Sequence, residues 1–577
     1  MSDAVALKAA KDAVARLLEA LGIDLVICVD DIYARRWSLE DLLGAQAALS
    51  EADLRSIFDR PEDVFPEDRA VRQQSFREAW GGVAREKQEG IAEQIMLAAA
   101  AKAPDEPSDI VASSALAEII GTKRLSTVPP SQWNAVKDRI KADKSERRTL
   151  LLFDQDLSGD VGGATGGIAL AQDALTDNEI GARVMCGLLT HTVTIETQHA
   201  EWVRLAQPPL DQDRFIVIAK GWLSRDPLGF ARMLKLVALG PDCRAMKMRA
   251  KELLDAATDD ALEEIEKIHI DDFDSMVFKA SKREGLWEPD MLFRLFGIYH
   301  RAAARHRAYM DSDLKLLSTR LRSVSDIPTH SETATPPETW KVQRKENYET
   351  GDYINALHLP IEVGDIFAKT DAQAEKYYIV LGQPCDLMVR SDGKRSPDTL
   401  DVVLAEVFAS DLEKAYTVLL PHFSATEPAR KFYVRLRPTH SVHPCVLDLC
   451  VFNTTGESRI LIDSDCPENV LPAWKPKFEA IKRFADSILR RYEGFGLNKV
   501  KDNLALAFMK SEAPKQFPLI TSNTALFKAS MSFAAGQRSL SFNCKRVLRL
   551  HRPRALAVSL EYMQCLTRPA FERDLGD

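Results

Sequence analysis

The sequence predicts a multidomain chain of mixed class, with an α/β domain followed by an α+β domain. Three observations support this prediction. Four short apolar segments in the first 220 residues each stop at a polar residue, as buried strands of a parallel sheet do. Segments rich in Ala, Leu, Glu, Lys and Arg surround them and indicate helices. Beyond residue 348 the apolar segments are short and separated by Gly, Pro, Asp and Ser, which favours a small barrel-like β domain with helices.

The same patterns divide the chain into four regions. Residues 1–240 are expected to form a doubly wound parallel-sheet domain with a large helical insertion at about 38–146. Residues 241–323 are expected to be helical. The segment 324–348, which is rich in Pro, Ser and Thr, is expected to be a linker, and 349–577 the β-rich and helical C-terminal domain.

Composition limits the classes of protein that fit. The chain has 577 residues, too many for one hydrophobic core, and its net charge of −9 argues against a chain-wide basic surface for nucleic acid. The nine cysteines include no Cys-x-x-Cys pair, which predicts reduced structural thiols. The sequence shows neither a signal peptide nor an apolar run long enough to span a membrane. We therefore expect a cytoplasmic protein with no membrane association.

The polar residues at the strand ends are the candidate site. They are Asp30 and Asp31 after the first apolar run, Asp154 after the second, Thr190 after the third and Lys220 after the fourth. Ligands bind at the carboxyl ends of the strands in an open α/β sheet, so these side chains are expected to share one edge. Clustered carboxylates repel one another unless a cation joins them, and Mg²⁺ prefers oxygen ligands. The sequence therefore predicts a Mg²⁺ site.

The order of these residues resembles the receiver domain of bacterial response regulators, in an elaborated and divergent form. That family has an acidic pair after strand one, a phosphoacceptor Asp after a later strand, then a Thr and a Lys. The resemblance covers about 22–37 and 147–240. It implies that Mg²⁺ is held by Asp30, Asp31, Asp154 and the main-chain carbonyl of Asp156.

The resemblance also implies a chemical role for the remaining residues. Asp154 would accept a phosphoryl group, and Lys220 and Mg²⁺ would neutralise its oxygens. Thr190 would then turn its hydroxyl towards the acyl phosphate and so couple the new charge to the shape of the domain.

This sequence departs from the family pattern at several positions. Gly221 replaces the usual proline after the lysine, and His191 replaces the usual small residue after the threonine. Val217 stands at the usual aromatic position, and Ser158 at the usual proline position. The pattern does not reveal the second strand of the sheet, because the long helical insertion obscures it.

Several other interpretations of the same residues remain open. An Asp at a strand end is often a turn residue or a helix cap. Asp154 and Asp156 also resemble the first motif of haloacid-dehalogenase-like phosphatases, but the acidic pair that those enzymes carry after their Lys comes first in this chain. The resulting alternatives are a phosphorylation-independent pseudo-receiver scaffold and a Mg²⁺-dependent phosphohydrolase.

The C-terminal region offers weaker signals. The segment 377–387 resembles an uncharacterised bacterial β domain, and its Cys385 is interpreted as a buried cysteine that ends a strand, in preference to a nucleophile. A zinc site made of His440, His443 and Cys445 lacks the second spaced pair that zinc sites usually have. The basic residues of 545–554 are interpreted as partners of acidic groups in preference to a nucleic-acid surface.

Together these observations predict a bacterial signalling protein whose phosphoacceptor domain controls an unusual output region. A regulatory role is favoured over that of a turnover enzyme, and the choice between the two is left open. Its expected partner is a histidine-kinase-like or GHKL-type ATPase. A homodimer is left open, and nucleic acid is not favoured as a partner. By resemblance alone, proteins of this kind look like components of bacterial conflict or antiviral (phage) defence systems.

Overall fold

The computed structural model describes most of the chain in two compact units. The described residues are 3–102, 108–143, 147–158, 163, 165–284, 286–327, 337–370, 376–396, 401–427, 429–494, 526–534 and 538–567. Unit 1 comprises Met1–Asp260 and Arg301–Thr333, and unit 2 comprises Ala261–His300 and Ala334–Asp577. The helices predicted for 241–323 are therefore shared between the two units.

Unit 1 contains a parallel sheet of five strands. These are β1 (Ile23–Val29), β2 (Leu125–Val128), β3 (Arg148–Asp154), β4 (Val184–Thr190) and β5 (Phe215–Ala219). Their spatial order is β2-β1-β3-β4-β5, and every neighbouring pair is parallel. This is one of the common doubly wound orders, in which the direction of winding reverses between β1 and β3. The prediction of a parallel α/β sheet is confirmed.

Helices cover both faces of this sheet. The first ten helices are α1 (Asp3–Ala20), α2 (Leu39–Ala45), α3 (Glu51–Phe58), α4 (Arg69–Gly81), α5 (Arg85–Ala101), α6 (Asp109–Ile120), α7 (Trp133–Ala142), α8 (Gly166–Thr176), α9 (Gln198–Leu205) and α10 (Gly221–Arg225). Alternate residues of β3 point to opposite faces, as the pleat requires. Leu150 and Leu152 pack with α1, α6 and α10, whereas Leu151 and Phe153 pack with α7 and α8.

The helices α2–α5, residues 39–101, form a lobe with a hydrophobic core of its own, hereafter the helical lobe. Its core is built from side chains such as Leu42, Phe76 and Ile95. Capping boxes fix the starts of α2 and α3, where Ser38 and Ser50 each accept a bond from the amide three residues later. The rest of the predicted insertion, including α6, β2 and α7, lies on or beside the sheet.

Helices continue through the middle of the chain. They are α11 (Pro227–Glu266), α12 (Ile270–Phe273), a π-helical segment (Asp274–Lys279), α13 (Ala280–Glu284), α14 (Glu288–Met310) and α15 (Ser312–Ser323). Within unit 1, Asp242 of α11 accepts hydrogen bonds from Arg148 at 2.7 and 2.8 Å and from Arg320 of α15 at 2.9 Å. This buried carboxylate joins the first strand residue of β3 to two helices.

Unit 2 is built on an antiparallel sheet. Its strands are β6 (Tyr348–Thr350), β7 (Asp365–Lys369), β8 (Lys376–Leu381), β9 (Val402–Ala409), β10 (Thr417–Leu420), β11 (Phe432–Val442), β12 (Glu457–Leu461), β13 (Ala529–Ser532) and β14 (Ser539–Leu550). The main path is β10-β11-β9-β8-β7-β14-β12, and β6 and β13 also pair with β14. The predicted antiparallel β domain is confirmed in this form, and its closure into a small barrel stays a prediction.

Helices complete unit 2. They are α16 (Pro337–Asn347), α17 (Gly351–Ala356), α18 (Pro384–Leu387), α19 (Pro444–Asp448), α20 (Trp474–Gly494) and α21 (Arg552–Thr567). The predicted linker 324–348 includes α16 in its described part. A helix expected at about 497–510 lies outside the described residues. The chain is thus a mixed α/β and α+β protein with more than one domain.

Candidate functional site

Four of the predicted residues stand at the carboxyl edge of the parallel sheet. Asp30 directly follows β1, and Asp154 is the last residue of β3, the neighbouring strand. Thr190 ends β4, and Lys220 follows β5. All four are buried, with 1–5% of their surface exposed. The pocket that they form lies where the sheet reverses its winding, which is where ligands bind in doubly wound sheets.

Lys220 is the centre of this pocket. Its Nζ atom lies 2.8 Å from Oδ1 of Asp154 and 3.2 Å from Oδ2 of Asp30. A third carboxylate, that of Asp109, has Oδ1 at 2.5 Å from the same nitrogen. An ammonium group has three N–H donors and no acceptor, so the three carboxylates match its donor capacity.

The sequence-based argument missed Asp109. It is the first residue of α6, a position where an acid is ordinarily explained by its favourable interaction with the helix dipole. Its Oδ1 atom also lies 3.0 Å from Nε2 of His191. His191, the unusual residue after Thr190, therefore meets a carboxylate at the mouth of the pocket.

Burial and charge shift the pKa values of these groups. Burial raises the pKa of Asp154 to about 7, with a further rise from the charge of Asp30, although Lys220 opposes both. Burial likewise raises the pKa of Asp30. The hydrogen bond with His191, helped by Lys220, holds the pKa of Asp109 well below its usual range. Burial acts to lower the pKa of Lys220, but the three surrounding carboxylates raise it well above its usual range.

The pKa values of Lys220 and Asp154 both rise, but the neighbours of Lys220 favour its charged form, whereas burial and the nearby acids favour the neutral form of Asp154. Lys220 is surrounded by three anions, whereas Asp154 has one cation and two further acids beside it. The pocket therefore holds more negative than positive charge when all of its acids are ionised. Carboxylate oxygens of Asp30, Asp109 and Asp154 lie within 4.8 Å of one another, an arrangement that fits a small divalent cation.

The carboxylates of Asp31 and Asp156, two residues of the predicted ligand set, are not part of this cluster. Asp31 opens the 3₁₀ turn Asp31–Ala34, and its carboxylate is not part of the three-acid group. The Asp156 carboxylate accepts hydrogen bonds from the amide (3.0 Å) and the hydroxyl of Ser158, so it caps its own turn. The roles of Asp31 and of the Asp156 carbonyl as ligands stay predictions.

The Thr190 hydroxyl belongs to a polar chain beside the pocket. Its Oγ1 atom lies 2.8 Å from Oγ1 of Thr192 and accepts a bond from the Thr192 amide at 3.0 Å. The Thr192 hydroxyl donates in turn to Oε1 of Gln155 at 3.1 Å. Thr190 is thus linked through Thr192 to the residue that follows Asp154.

A glycine makes room for the loop after β3. Gly167 lies at the start of α8, and its amide donates to the carbonyl of Gln155 at 3.2 Å. A Cβ atom at this position would lie 1.8 Å from the main-chain oxygen of Asp154. The close approach of α8 to the end of β3 therefore requires glycine.

The candidate zinc and thiol residues of unit 2 make local contacts within the chain. The His443 ring accepts from the amide of Cys445 at 3.2 Å and caps α19, and burial raises the pKa of the Cys445 thiol to about 12. The expectation of a buried Cys385 is wrong, because the residue is exposed, with its Sγ 3.5 Å from Oε1 of Gln383. The only group of three or more potential metal ligands found among the described residues is the one in unit 1.

The basic segment of β14 is mostly internal. Arg546 and Arg549 are buried, and Arg549 donates to Asp365 at 2.6 and 3.1 Å. Arg546 donates to Oδ1 of Asn355 at 2.7 Å. Arg549 thus pairs with an acidic group, as the preferred interpretation of the segment expected, whereas Arg552 and Arg554 of the same segment are exposed.

Comparison with protein-family models, with curated proteins and with solved structures found no match. In the described part of the chain, no helix is both long and apolar enough to cross a bilayer. The case for a function therefore depends on the geometry of the pocket.

Proposed function

We propose that unit 1 is a receiver-like domain that accepts a phosphoryl group on Asp154 in the presence of Mg²⁺. One observation carries the proposal. The ammonium of Lys220 lies 2.8 Å from the Asp154 carboxylate, with Asp30 beside both, at the carboxyl edge of a sheet ordered β2-β1-β3-β4-β5. A nucleophilic carboxylate, a cation for the phosphoryl oxygens and ligands for a metal are the parts that phosphoryl transfer needs.

The donor set fits Mg²⁺. Asp30, Asp109 and Asp154 would hold the ion, and the excess of negative charge in the pocket supports a divalent cation there. When bound, Mg²⁺ supplies positive charge that lets one anion approach another. Asp31 and the carbonyl of Asp156 are the further ligands that the family resemblance implies.

The residues of the chain would then divide the work of the transfer. An oxygen of Asp154 would attack phosphorus while the bond from phosphorus to the donor breaks and its electron pair leaves with the donor. Lys220 would donate hydrogen bonds to the transferred oxygens. Thr190 could exchange Thr192 for the new acyl phosphate, which would alter the polar chain that reaches Gln155.

The remaining parts of the proposal come from the same resemblance. The phosphodonor would be a histidine-kinase-like or GHKL-type ATPase partner, and unit 2 would be the output region. The protein would act in the bacterial cytoplasm, in a conflict or antiviral system.

Intact mass spectrometry after incubation with acetyl phosphate and Mg²⁺ tests the proposal. We expect the mass of one phosphoryl group to be added to the wild-type chain and to Asp173→Asn, whose residue pairs with Lys137 outside the pocket. The addition should disappear in Asp154→Asn and when EDTA replaces Mg²⁺. Repeated release of phosphate from an ester would instead identify a phosphohydrolase and overturn the proposal.

One observation favours a second candidate, the phosphorylation-independent scaffold. All three donors of Lys220 already have carboxylate neighbours within the chain. A pocket whose ammonium donors already have partners within the chain could serve as a rigid surface for another protein. The absence of both Mg²⁺ binding and a covalent adduct would support the scaffold.

A further inference from the structure

Asp109 is the point where a helix packed against the helical lobe reaches into the pocket. We infer that this residue reports the phosphorylation of Asp154 to the helical lobe, by giving up its contact with Lys220. The inference rests on the proposed function, since the signal is the phosphoryl group. It adds an output route that begins at α6, a helix that follows the lobe in the chain.

Competition for Lys220 is the first step. The three carboxylates around Nζ, at 2.5, 2.8 and 3.2 Å, match its three donors. A phosphoryl group on Asp154 brings new acceptor oxygens and further negative charge to the same place. The phosphoryl oxygens and the carboxylates of Asp30 and Asp109 would then compete for the same three donors.

Asp109 is the carboxylate best placed to leave. The side chains of Asp30 and Asp154 are 5% and 8% exposed, whereas that of Asp109 is 41% exposed. Asp30 is also held by the amide of Ile32 at 2.9 Å. Asp30 and Asp154 lie at the ends of central strands, whereas Asp109 is the first residue of a helix.

Helix α6 is placed so that losing the contact between Asp109 and Lys220 would affect the helical lobe. From Ala112 onwards, α6 is anchored in the core of the sheet, with Leu116 and Ile119 among the buried residues, so a shift affects mainly its first turn. Helix α6 packs against α5, which supplies Ala92 and Ile95 to the core of the lobe. Ser113 of α6 also donates to the Tyr33 hydroxyl at 3.0 Å, in the turn after Asp30.

Hydrogen exchange with and without Mg²⁺ and beryllofluoride tests the inference on the full chain. Fluorine NMR of the same sample reports whether the fluoride adduct has formed on Asp154. We expect about five-fold faster exchange, or more, in the first turns of α6 and in α5, a size typical of coupling between sites. Exchange in α8, which packs on the opposite face of the sheet, should not increase. Glu118→Gln, which removes an exposed pair with Lys11 from the other end of α6, should respond as the wild type does.

Asp109→Asn supplies the second measurement. It removes the charge that faces Lys220 without any phosphodonor, so exchange in α5 should already be fast, and beryllofluoride should add little at a Mg²⁺ concentration at which fluorine NMR shows the adduct. A purely structural weakening of α6 would leave the response to beryllofluoride intact and would overturn the inference. An adduct on the wild type without a change in α5 would overturn it too, with the proposed function still standing. If no adduct forms, the proposed function fails, and unchanged exchange in Asp109→Asn then excludes the coupling as well.

Discussion

The Cα atom of Gly167 lies so close to Asp154 that a Cβ on it would stand 1.8 Å from the main-chain oxygen of Asp154. Since that oxygen belongs to the backbone, it cannot turn aside as a flexible side chain could. The glycine therefore sets the distance between α8 and the residue that we propose as phosphoacceptor. The first prediction follows from this relationship.

Replacing Gly167 by Ala is expected to destabilise unit 1 by about 1–3 kcal/mol, the usual cost of overpacking. Hydrogen exchange of the β3 amides measures the free energy of unfolding. The matched control is Gly90→Ala in the middle of α5, where an added Cβ meets open space and should stabilise the helix by about 0.5–1 kcal/mol. Equal stability of Gly167→Ala and the wild type would contradict the close approach.

The stability of unit 1 should depend on pH through Asp154. Its pKa in the folded protein, about 7, is above the ordinary value of about 3.9 in an unfolded chain. The folded state therefore keeps a proton that the unfolded state loses, and this stabilisation disappears as the pH rises through 7. In EDTA the wild type should lose up to about 1 kcal/mol per pH unit relative to Asp154→Asn between pH 5 and pH 7. Parallel curves for the two proteins would refute the shifted pKa.

Removing Lys220 should leave the buried carboxylates of Asp30 and Asp154 without a compensating positive charge. We expect Lys220→Met to lower the free energy of unfolding of unit 1 by about 3–5 kcal/mol at pH 8, as for other broken buried ion pairs. The loss should be smaller at pH 5, because Asp30 and Asp154 take up protons in the folded state. Lys11→Met, which removes an exposed pair with Glu118, should cost less than about 1 kcal/mol. A similar small cost for both variants would show that Lys220 is not a buried ion-pair partner.

Isothermal titration with Mg²⁺ should rank the acids. Asp109→Asn is expected to weaken Mg²⁺ binding by about ten-fold or more, because its carboxylate belongs to the three-acid cluster. Asp31→Asn, at the opening of the next turn, is expected to weaken it less. The reverse order would identify the ligand set of the family resemblance, Asp30 with Asp31, in place of the cluster with Asp109.

In unit 2, replacing the buried carboxylate of Asp365 should lower the free energy of unfolding as much as replacing Lys220 does in unit 1. Asp365→Asn removes the negative charge nearest to Arg549, at 2.6 Å, and is expected to cost about 3–5 kcal/mol, measured by exchange of the β14 amides. Glu427→Gln removes an exposed pair with Arg430 and should cost less than about 1 kcal/mol. If the two variants behaved alike, Asp365 would not be a stabilising partner of the arginines.

The sequence was sufficient to predict the central strands of the sheet and the residues at their ends. Strands buried on both faces need continuous apolar runs, and residues such as Asp30, Asp154 and Lys220 interrupt those runs abruptly. The shared edge then follows from the parallel arrangement of the strands.

The same argument could not predict strand β2 or the role of Asp109. Strand β2 has four residues, lies at the edge of the sheet and is only partly buried, so Leu125–Val128 carries little apolar signal. Asp109 comes from a helix and pairs with a lysine 111 residues further along the chain. An acid at the start of a helix is common for purely local reasons, so nothing in its sequence neighbourhood separates it from a cap.

The position of β14 has a consequence for synthesis on the ribosome. This strand borders β6, β7, β12 and β13, and its Arg549 lies 184 residues after its partner Asp365. During translation, therefore, the edge of β7 that pairs with β14 stays open, and Asp365 lacks its arginine partner, while this long stretch is made. Open strand edges are templates for wrong pairing. The nascent chain is most exposed to aggregation, and to capture by chaperones, in that interval.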